Sequence, residues 1–382
     1  MSRRTVGLGL LMAGVALVAW AWATTWTATG GTITSGGTYT AGQTPGHYVV
    51  VATAPDGRAD TAEVTIAAPV ARTQYGLHLD LAYYGAGTFK DRAIQEAKNL
   101  HATIGRHTLP WYDIEKVKGT RNWAKADATV DQTKAAGIET LFFFGSSPQW
   151  ANGSTDPWVI PATGPAFDQW LVDYQAFITA AVLRYKDRVH KWELWNEENE
   201  IYFWKPQPNL DQYARFYRMA YSAVKAADPT AQVSMGGMAG LVAGCCITGK
   251  TFLQGLYDRG ITPDIVNIHP YALKEQAPDV HLAFESNFDD IAAIRAVMVA
   301  NGEGTKPIWV TEWGWKATTA TEQTVAGYIT KSLQMIDSLY PYVTVATYFT
   351  EFDQSGYTQG LYRSDWSPKP GAAAFGAFAA TH

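Results

Sequence analysis

The chain has 382 residues, of which 47% are hydrophobic and 17% are charged. It is therefore long and apolar enough to fold around a large core, and disorder is excluded for most of its length. The net charge is −5 and no run of Lys and Arg is longer than a pair, which excludes nucleic acid as a partner because phosphate binding needs a basic surface.

The first 23 residues have the pattern of an export signal. Two arginines precede an apolar stretch from Val6 to Ala23, which ends in the small-x-small pattern of a cleavage site. We expect cleavage after Ala23 and a protein that is secreted, periplasmic or at the cell surface. An uncleaved anchor is the alternative, because 18 apolar residues nearly suffice to cross a bilayer; only then is a membrane expected as a partner.

Residues 24–70 are rich in Thr, Gly, Ala and Val. Polarity alternates from His47 to Ala54 and from Thr61 to Ile66, and the turn residues Pro-Asp-Gly lie between the two stretches, a pattern that predicts strands. The segment is similar to the second half of a bacterial immunoglobulin-like domain. It is shorter than the roughly 100 residues of a complete sandwich, so we expect only part of such a domain.

From residue 71 to residue 382 the pattern changes to strands that alternate with helices. Eight strand and helix units in about 310 residues predict an α/β fold, a (β/α)8 TIM barrel with a short N-terminal β-rich segment. A doubly wound sheet is the alternative, but no glycine-rich phosphate loop follows the first strand. The predicted strands are Tyr75–Leu79, Thr103–Thr108, Glu139–Phe144, Val189–Trp195, Gln232–Gly236, Ile265–His269, Ile308–Thr311 and Val343–Phe349.

One helix can be bounded from the sequence. Between Leu210 and Ala227 apolar residues recur at helical spacing. Asn209 precedes the segment and can cap its first turn, and Asp228-Pro229 ends it.

In a barrel, the chemistry lies at the carboxyl ends of the strands. The fourth strand ends in KWELWNEEN and the seventh in PIWVTEWGW, so Glu197 and Glu312 occupy corresponding ends. Cleavage of a glycosidic bond needs two such carboxyl groups, one protonated and one ionised. A single glutamate at a strand end is more often an ion-pair partner, but two of them in Trp-rich motifs favour catalysis.

These motifs, together with NIHPY on the sixth strand, resemble the retaining glycoside hydrolases of clan A. Residues 72–380 are most similar to glycoside hydrolase family 39, with family 5-like sequences as the alternative. The resemblance implies that Glu197 is the acid/base and Glu312 is the nucleophile. It also implies that Asn196 donates a hydrogen bond to the sugar 2-hydroxyl.

The resemblance implies further substrate-binding residues. Arg106, at the end of the second strand, resembles an arginine that steadies the nucleophile, with a structural ion pair as the alternative. His269 and Tyr271 resemble a sixth-strand pair near the nucleophile, where a tyrosine hydroxyl can keep the carboxylate ionised. We expect Trp150, after the third strand, to be a stacking platform, and His78, after the first strand, to contact an outer hydroxyl.

The sequence departs from the clan pattern at two places. Glu198 stands where the clan often has proline, and we expect Glu198 and Glu200 to be solvated or ion-paired at the start of a loop. The eighth strand brings Thr347-Tyr348-Phe349-Thr350 where a tryptophan usually lies under the sugar. This difference puts the floor of the sugar site in doubt, but not the reaction.

No cofactor and no metal site are expected. The two cysteines, Cys245 and Cys246, are adjacent, which excludes a disulfide framework and a multi-cysteine metal site. They form either a vicinal disulfide or two reduced, buried thiols. A metal-dependent hydrolase is disfavoured because no His-x-x-x-His or His-Asp cluster has the required spacing.

The sequence therefore predicts an exported retaining glycoside hydrolase that acts on a β-linked poly- or oligosaccharide. The chain ends soon after the last short helix, without a trailing β-sandwich, and we expect an open, endo-acting enzyme. An exo-acting β-xylosidase or β-glucosidase is one alternative. A glycan-binding barrel without activity is another, although it would not need the paired glutamates. The sequence does not predict the sugar or the oligomeric state.

Overall fold

The computed structural model describes residues 25–41, 46–66, 72–81, 87–240, 246–317, 320–354 and 356–382, and the backbone of residues 5–6. It divides into two units, Met1–Ala71 and Arg72–His382. Apart from that two-residue backbone, the predicted export signal lies outside the described residues. Within the described ranges, no helix has both the length and the apolar character needed to cross a membrane.

The first unit is a small set of strands. The sheet has the order β1-β6-β5-β2, and β3 and β4 form a separate antiparallel pair. A turn at Gly57 (φ 82°) joins the antiparallel β5 and β6, which coincide with the two stretches of alternating polarity. The immunoglobulin-like assignment stays a prediction. The strands are β1 (Thr5–Val6), β2 (Thr25–Ala28), β3 (Thr32–Ile33), β4 (Tyr39–Thr40), β5 (Gly46–Thr53) and β6 (Ala59–Ile66).

The second unit contains the predicted barrel. Its eight strands are parallel, with the order β11-β10-β9-β8-β7-β14-β13-β12, and the bridges Ser234–Ile265 and Met238–Ile268 join β11 to β12 and close the cylinder. The barrel prediction is confirmed. The strands are β7 (Gln74–His78), β8 (Ile104–Pro110), β9 (Glu139–Gly145), β10 (Lys191–Asn196), β11 (Gln232–Gly237), β12 (Val266–Asn267), β13 (Ile308–Val310) and β14 (Val343–Tyr348).

Helices follow the strands along the second unit. The Asn209 side chain accepts a hydrogen bond from the Gln212 amide at 3.0 Å, which caps α6 as its sequence predicts. The helices are α1 (Thr88–Asn99), α2 (Trp111–Ile114), α3 (Ala124–Ala136), α4 (Gln149–Asn152), α5 (Pro165–Tyr185), α6 (Leu210–Ala227), α7 (Gly249–Asp258), α8 (Asp290–Ala300), α9 (Glu322–Leu339) and α10 (Pro370–Ala379).

The core has two layers because side chains alternate across each strand. A small cluster fills the barrel interior with Ile104, Leu141, Ile265, Trp309 and Val345. A much larger cluster packs the outer strand faces against the helices and contains most of the buried tryptophans. Aromatic enrichment in this chain therefore serves the core first. The carboxyl ends of the strands are left to carry polar side chains.

Candidate active site

Glu197 follows β10 on a strained stretch of backbone. Trp195 (φ 92°) and Glu197 (φ 47°) both adopt positive φ angles, which cost on the order of 1–3 kcal/mol each. Packing offsets this cost. The Trp195 ring is fully buried and donates from Nε1 to the Phe203 carbonyl at 2.8 Å, and the Glu197 amide donates to the Gly237 carbonyl at 3.0 Å.

Glu312 lies two residues beyond the end of β13. Both of its carboxylate oxygens accept hydrogen bonds. Arg106 Nη1 donates to Oε1 at 2.6 Å, and the Tyr271 hydroxyl donates to Oε2 at 2.8 Å. Burial alone would raise the pKa of Glu312, but His269 and Arg106 beside it hold this pKa well below its usual range. Glu312 is therefore ionised at neutral pH.

Arg106 connects Glu312 to β10. Its Nε and Nη2 donate to the two oxygens of the buried Glu193 at 2.8 and 2.7 Å, and Nη2 also donates to Asn196 Oδ1 at 2.7 Å. Arg106 thus contacts Glu312 and also forms a buried ion pair with Glu193, and its role toward a substrate stays a prediction. Because a guanidinium only donates, the amide oxygen of Asn196 faces Arg106, and its Nδ2 is left to donate to a substrate.

Glu197 has a different environment. Its Oε1 lies 2.9 Å from His269 Nδ1, and one of its oxygens lies within 4.8 Å of an oxygen of Glu312. Burial and the negative charge of Glu312 raise the pKa of Glu197, and His269 opposes this rise without cancelling it. The sixth-strand pair is therefore divided between the two glutamates, with His269 on Glu197 and Tyr271 on Glu312.

His78 lies closer to Glu312 than the predicted contact with an outer sugar hydroxyl requires. Its Nδ1 accepts from Arg106 Nη1 at 3.0 Å and lies 3.7 Å from Glu312 Oε1. Its Nε2 lies 3.5 Å from Asp80. The structure thus places His78, which is buried, beside Glu312. Its contact to a sugar hydroxyl stays a prediction.

Trp150, on α4, makes contacts with the segment after β8. Its Nε1 donates to the Glu115 carbonyl at 2.7 Å, and its ring packs edge-on against Trp111 at 5.4 Å. Lys118 Nζ lies 5.2 Å from the ring centre. These contacts fix the ring, and its role as a stacking platform stays a prediction.

Phe349 belongs to the eighth-strand segment that stands where the clan usually has a tryptophan. It follows β14 and is partly exposed. Its ring packs edge-on against His78 at 5.0 Å and lies 6.3 Å from the Tyr271 ring. Phe349 is therefore an apolar surface beside His78 and Tyr271, at the strand end where the sequence left the floor of the sugar site open.

The expectation that Glu198 and Glu200 are solvated or ion-paired is wrong. Glu198 is 0% exposed and Glu200 is also buried, because the chain turns back after β10 so that the Glu200 amide donates to the Glu197 carbonyl at 3.0 Å. Burial raises the pKa of Glu198 to about 8. Burial and the nearby charge of Glu197 raise the pKa of Glu200 to about 7.

Glu197, His269 and Glu312 each offer one ligand atom within 4.8 Å of the others, a spacing that could hold a metal ion, and the expected absence of a metal and a cofactor stays a prediction. Each oxygen of Glu312 already accepts a hydrogen bond, and Glu197 contacts His269. On a more exposed surface, His281 lies beside Asp289 and Asp290, but an acidic cluster alone does not make a metal site. Cys245 lies outside the described residues, so the vicinal disulfide stays a prediction.

The chain is similar to known glycoside hydrolases in sequence. A family model described as a glycosyl hydrolase catalytic core matches residues 211–374. A beta-xylosidase of Geobacillus stearothermophilus is 31% identical over 167 residues, which are 42% of this chain and 32% of that protein. The chain thus spans about a third of the length of this curated relative.

Solved structures share the barrel fold. A family 39 glycoside hydrolase from Bacteroides cellulosilyticus WH2 has a TM-score of 0.66 at 21% identity, over 90% of this chain and 72% of that chain. A monomeric beta-xylosidase from Caulobacter crescentus CB15 has a TM-score of 0.59 at 21% identity, over 75% of this chain and 63% of that chain. The family model and the beta-xylosidase thus show a similarity to glycosyl hydrolases in sequence, and the solved structures show that the chain shares their barrel fold.

Proposed function

We propose that the protein hydrolyses β-glycosidic bonds with retention of the anomeric configuration. The observation that carries the proposal is the pair Glu197 and Glu312, whose oxygens approach within 4.8 Å and whose pKa values are shifted in opposite directions. Retaining enzymes have carboxyl groups about 5–5.5 Å apart, whereas inverting enzymes need about 6.5–9.5 Å to admit a water molecule.

In the first step, an oxygen of Glu312 attacks the anomeric carbon while protonated Glu197 gives its proton to the departing glycosidic oxygen. The bond between that oxygen and the anomeric carbon breaks, and a glycosyl ester of Glu312 forms. Tyr271 and Arg106 aim the carboxylate and keep it ionised. Asn196 Nδ2 is free to donate to the sugar 2-hydroxyl, because its oxygen is held by Arg106.

In the second step, water replaces the leaving group. Esterification removes the negative charge of Glu312, which is one of the causes of the raised pKa of Glu197. Glu197 is then a carboxylate that takes a proton from the water as its oxygen attacks the anomeric carbon. The ester bond breaks, Glu312 is released as a carboxylate, and two inversions leave the configuration retained.

We propose a β-linked poly- or oligosaccharide as the substrate of an exported enzyme. Exposed aromatic side chains favour an extended chain, because Tyr202 follows β10 with 64% of its surface exposed and Tyr357 follows β14 with 51% exposed. Flat rings at these loops can stack on sugar units beyond the cleaved bond. Exo-action is the second candidate, favoured by the likeness to a beta-xylosidase. Product lengths from polysaccharide digests separate the two.

Substitution of the two glutamates tests the mechanism. Glu312→Ala should abolish turnover of every substrate. Glu197→Ala should slow natural substrates by roughly 10²–10⁴-fold but spare the first step for aryl glycosides with good leaving groups, so that the ester accumulates. Glu303→Ala, before β13, is the matched control and should retain activity. Equal loss on aryl and natural substrates with Glu197→Ala, or an inverted product, would contradict the proposal.

A further inference from the structure

An open cavity lies beside the loop that carries Glu197. Its volume is about 530 Å³, which is within the range of sites that bind small molecules. Two loops line it, one after β9 and one after β10, so it stands at the carboxyl ends of the barrel strands, as the two glutamates do. The lining residues are Val159, Ile201, Tyr202, Lys205 and Pro206.

Backbone hydrogen bonds join the two loops that form the cavity. The Lys205 amide donates to the Trp158 carbonyl at 3.1 Å, and the Ile160 amide donates to the Lys205 carbonyl at 3.0 Å. The Trp158 ring packs edge-on against the Trp195 ring at 5.8 Å. Because Trp195 is fully buried and stands two positions before Glu197, the walls of the cavity are fixed relative to the end of β10.

The cavity lies on the side of Glu197 that is away from Glu312. Around the closed barrel, β9 is four strands from β13 in either direction, so the loop after β9 lies opposite the strand end that precedes Glu312. β10, which precedes Glu197, pairs with β9. A protonated glutamate gives its proton to the departing oxygen, so the leaving group lies on the side of Glu197, towards the cavity.

Tyr202 supplies a flat ring at the cavity. Its surface is 64% exposed, and its amide donates to Glu200 Oε1 at 3.1 Å. Glu200 is itself buried, and its amide donates to the Glu197 carbonyl at 3.0 Å. The turn after Glu197 therefore fixes the backbone of Tyr202 while its ring faces solvent. An exposed ring on a fixed backbone is suited to stack on the apolar face of a sugar.

Lys205 and Asp156 supply a charge pair at the same place. Lys205 Nζ lies 2.5 Å from Asp156 Oδ2, and the two side chains are 33% and 36% exposed. Asp156 Oδ1 also accepts from the Trp158 amide at 3.0 Å. An ammonium has more donors, and a carboxylate more lone pairs, than these contacts use. One sugar hydroxyl can therefore accept from Lys205 while an adjacent hydroxyl donates to Asp156.

We propose that this cavity binds a sugar unit of the leaving group, with Tyr202 as the stacking ring and the Lys205–Asp156 pair as the hydrogen-bonding group. The inference rests on the proposed function of the protein. Since the pair has no net charge, the sugar that it selects is neutral and has two adjacent free hydroxyls. A carboxylate on that sugar would face Asp156, and a contact between like charges disfavours binding.

Two substrates with the same reacting sugar test the role of Tyr202 and Lys205. One is cellobiose or xylobiose, and the other is the glycosyl fluoride of the same sugar, whose leaving group has neither a ring nor a hydroxyl. Tyr202→Ala and Lys205→Met should each lower kcat/KM for the disaccharide roughly 2- to 10-fold and leave kcat/KM for the fluoride unchanged. Tyr202→Phe keeps the ring and should keep both values. The control is Val172→Ala, at a residue of α5 that is 59% exposed, and it should change neither value.

Charge on the leaving-group sugar gives a second readout, which a merely structural role of the pair would not change. A disaccharide with a carboxylate on the leaving-group sugar should have a lower kcat/KM than its neutral counterpart. Asp156→Asn should reduce this difference, because it removes the like charge.

Binding without turnover gives a third readout. Calorimetry of cellobiose and xylobiose with Glu312→Gln should give a Kd that Tyr202→Ala, added to the same protein, raises roughly 2- to 10-fold. An unchanged Kd, binding of neither disaccharide, equal losses on the disaccharide and the fluoride, or a preference for the acidic leaving group would overturn the proposal. Failure of the proposed function differs from these outcomes, since the unsubstituted protein would then give an inverted product or leave the fluoride intact while the effect of Tyr202 on the Kd remained.

Discussion

Glu197 and Glu312 have the same side chain, but their surroundings shift their pKa values in opposite directions. Glu312 accepts hydrogen bonds from Arg106 and Tyr271 at its two oxygens, whereas Glu197 lies against a single histidine nitrogen. Burial penalises the charge on both groups, and the direct contact of Arg106 with Glu312 helps to offset the penalty there. At the residue scale, the pKa values of Glu197 and Glu312 are thus separated by the number and charge of the groups that contact each carboxyl group.

Tyr271→Phe should weaken the nucleophile without changing the fold. The substitution removes the hydrogen bond to Glu312 Oε2 and keeps the ring. A hydrogen bond to a charged group contributes about 1.5–3 kcal/mol, so kcat/KM should fall roughly 10- to 100-fold. Because this bond helps to lower the pKa of Glu312, the acid limb of the pH profile should move to higher pH. An unchanged limb would contradict the role given to Tyr271.

Glu198→Gln should make the stability less dependent on pH. The pKa of Glu198 is raised by burial from 4.5 to about 8, so the folded protein binds more protons than the unfolded chain between these values. Its contribution to the free energy of unfolding therefore falls as pH rises through that interval. Glutamine does not titrate, so the Tm of the variant should rise relative to the Tm of the original protein between about pH 5 and about pH 8. Parallel Tm curves would contradict this prediction, and Glu303→Gln is the control.

The motifs predicted Glu197, Glu312 and their immediate partners because those residues stand at strand ends within a recognisable pattern. Glu193 was missed, because a single charged residue within an apolar strand gives no sign of its partner on β8. The burial of Glu198 could not be predicted either. It depends on the turn that the backbone makes at the positive φ angles around Asn196, which the sequence pattern does not encode.

At the element scale, the ends of β10 and β11 set the geometry of the site. Gly237 closes β11 directly against the His269 ring, and its amide donates to Glu193 Oε1 at 3.1 Å. Its carbonyl accepts from the Glu197 amide at 3.0 Å. One residue without a side chain thus contacts Glu197, His269 and Glu193.

Gly237→Ala should therefore impair activity much more than another glycine substitution. The added Cβ would lie 2.0 Å from His269 Nε2, so the ring or the strand must shift, and a small displacement of catalytic groups can cost about 100-fold in rate. Gly327→Ala is the control, because nothing lies within 4 Å of the added atom. Gly327 lies within α9, where alanine should stabilise the fold by roughly 0.5–1 kcal/mol. Similar kcat/KM values for the two variants would contradict the prediction.

The order of the elements was predictable, but some of their lengths were not. Alternating and apolar stretches located all eight barrel strands, and the cap at Asn209 fixed the start of α6. The sixth strand was predicted over five residues, Ile265–His269, but β12 contains only Val266–Asn267. The residues that follow β12 use their backbone in the bridge with Met238 and their side chains in the site. The periodicity of the sequence does not predict either role.

At the scale of the whole molecule, the unit Arg72–His382 contains the eight barrel strands and both glutamates. A protein that starts at Arg72 should keep its kcat/KM on an aryl glycoside. It should lose stability or change its oligomeric state, because a small sheet with open edges favours pairing with another surface. Melting temperature and light scattering check this prediction. A deletion that changes neither, together with free mobility of the first 71 residues in solution, would contradict it.

The closure of the barrel between β11 and β12 has a consequence for solvent exchange. Here the main-chain hydrogen bonds run from Met235 to Ile265, from Met238 to Asn267, and from His269 back to Met238. β12 is only two residues long, so the cylinder should breathe first along this seam. Deuterium should therefore reach the amides of Met238 and His269 sooner than those in the middle of β9, although both places are buried. Each such opening should move His269 away from Glu197. The part of the barrel that we expect to exchange first thus contains the contact between His269 and Glu197.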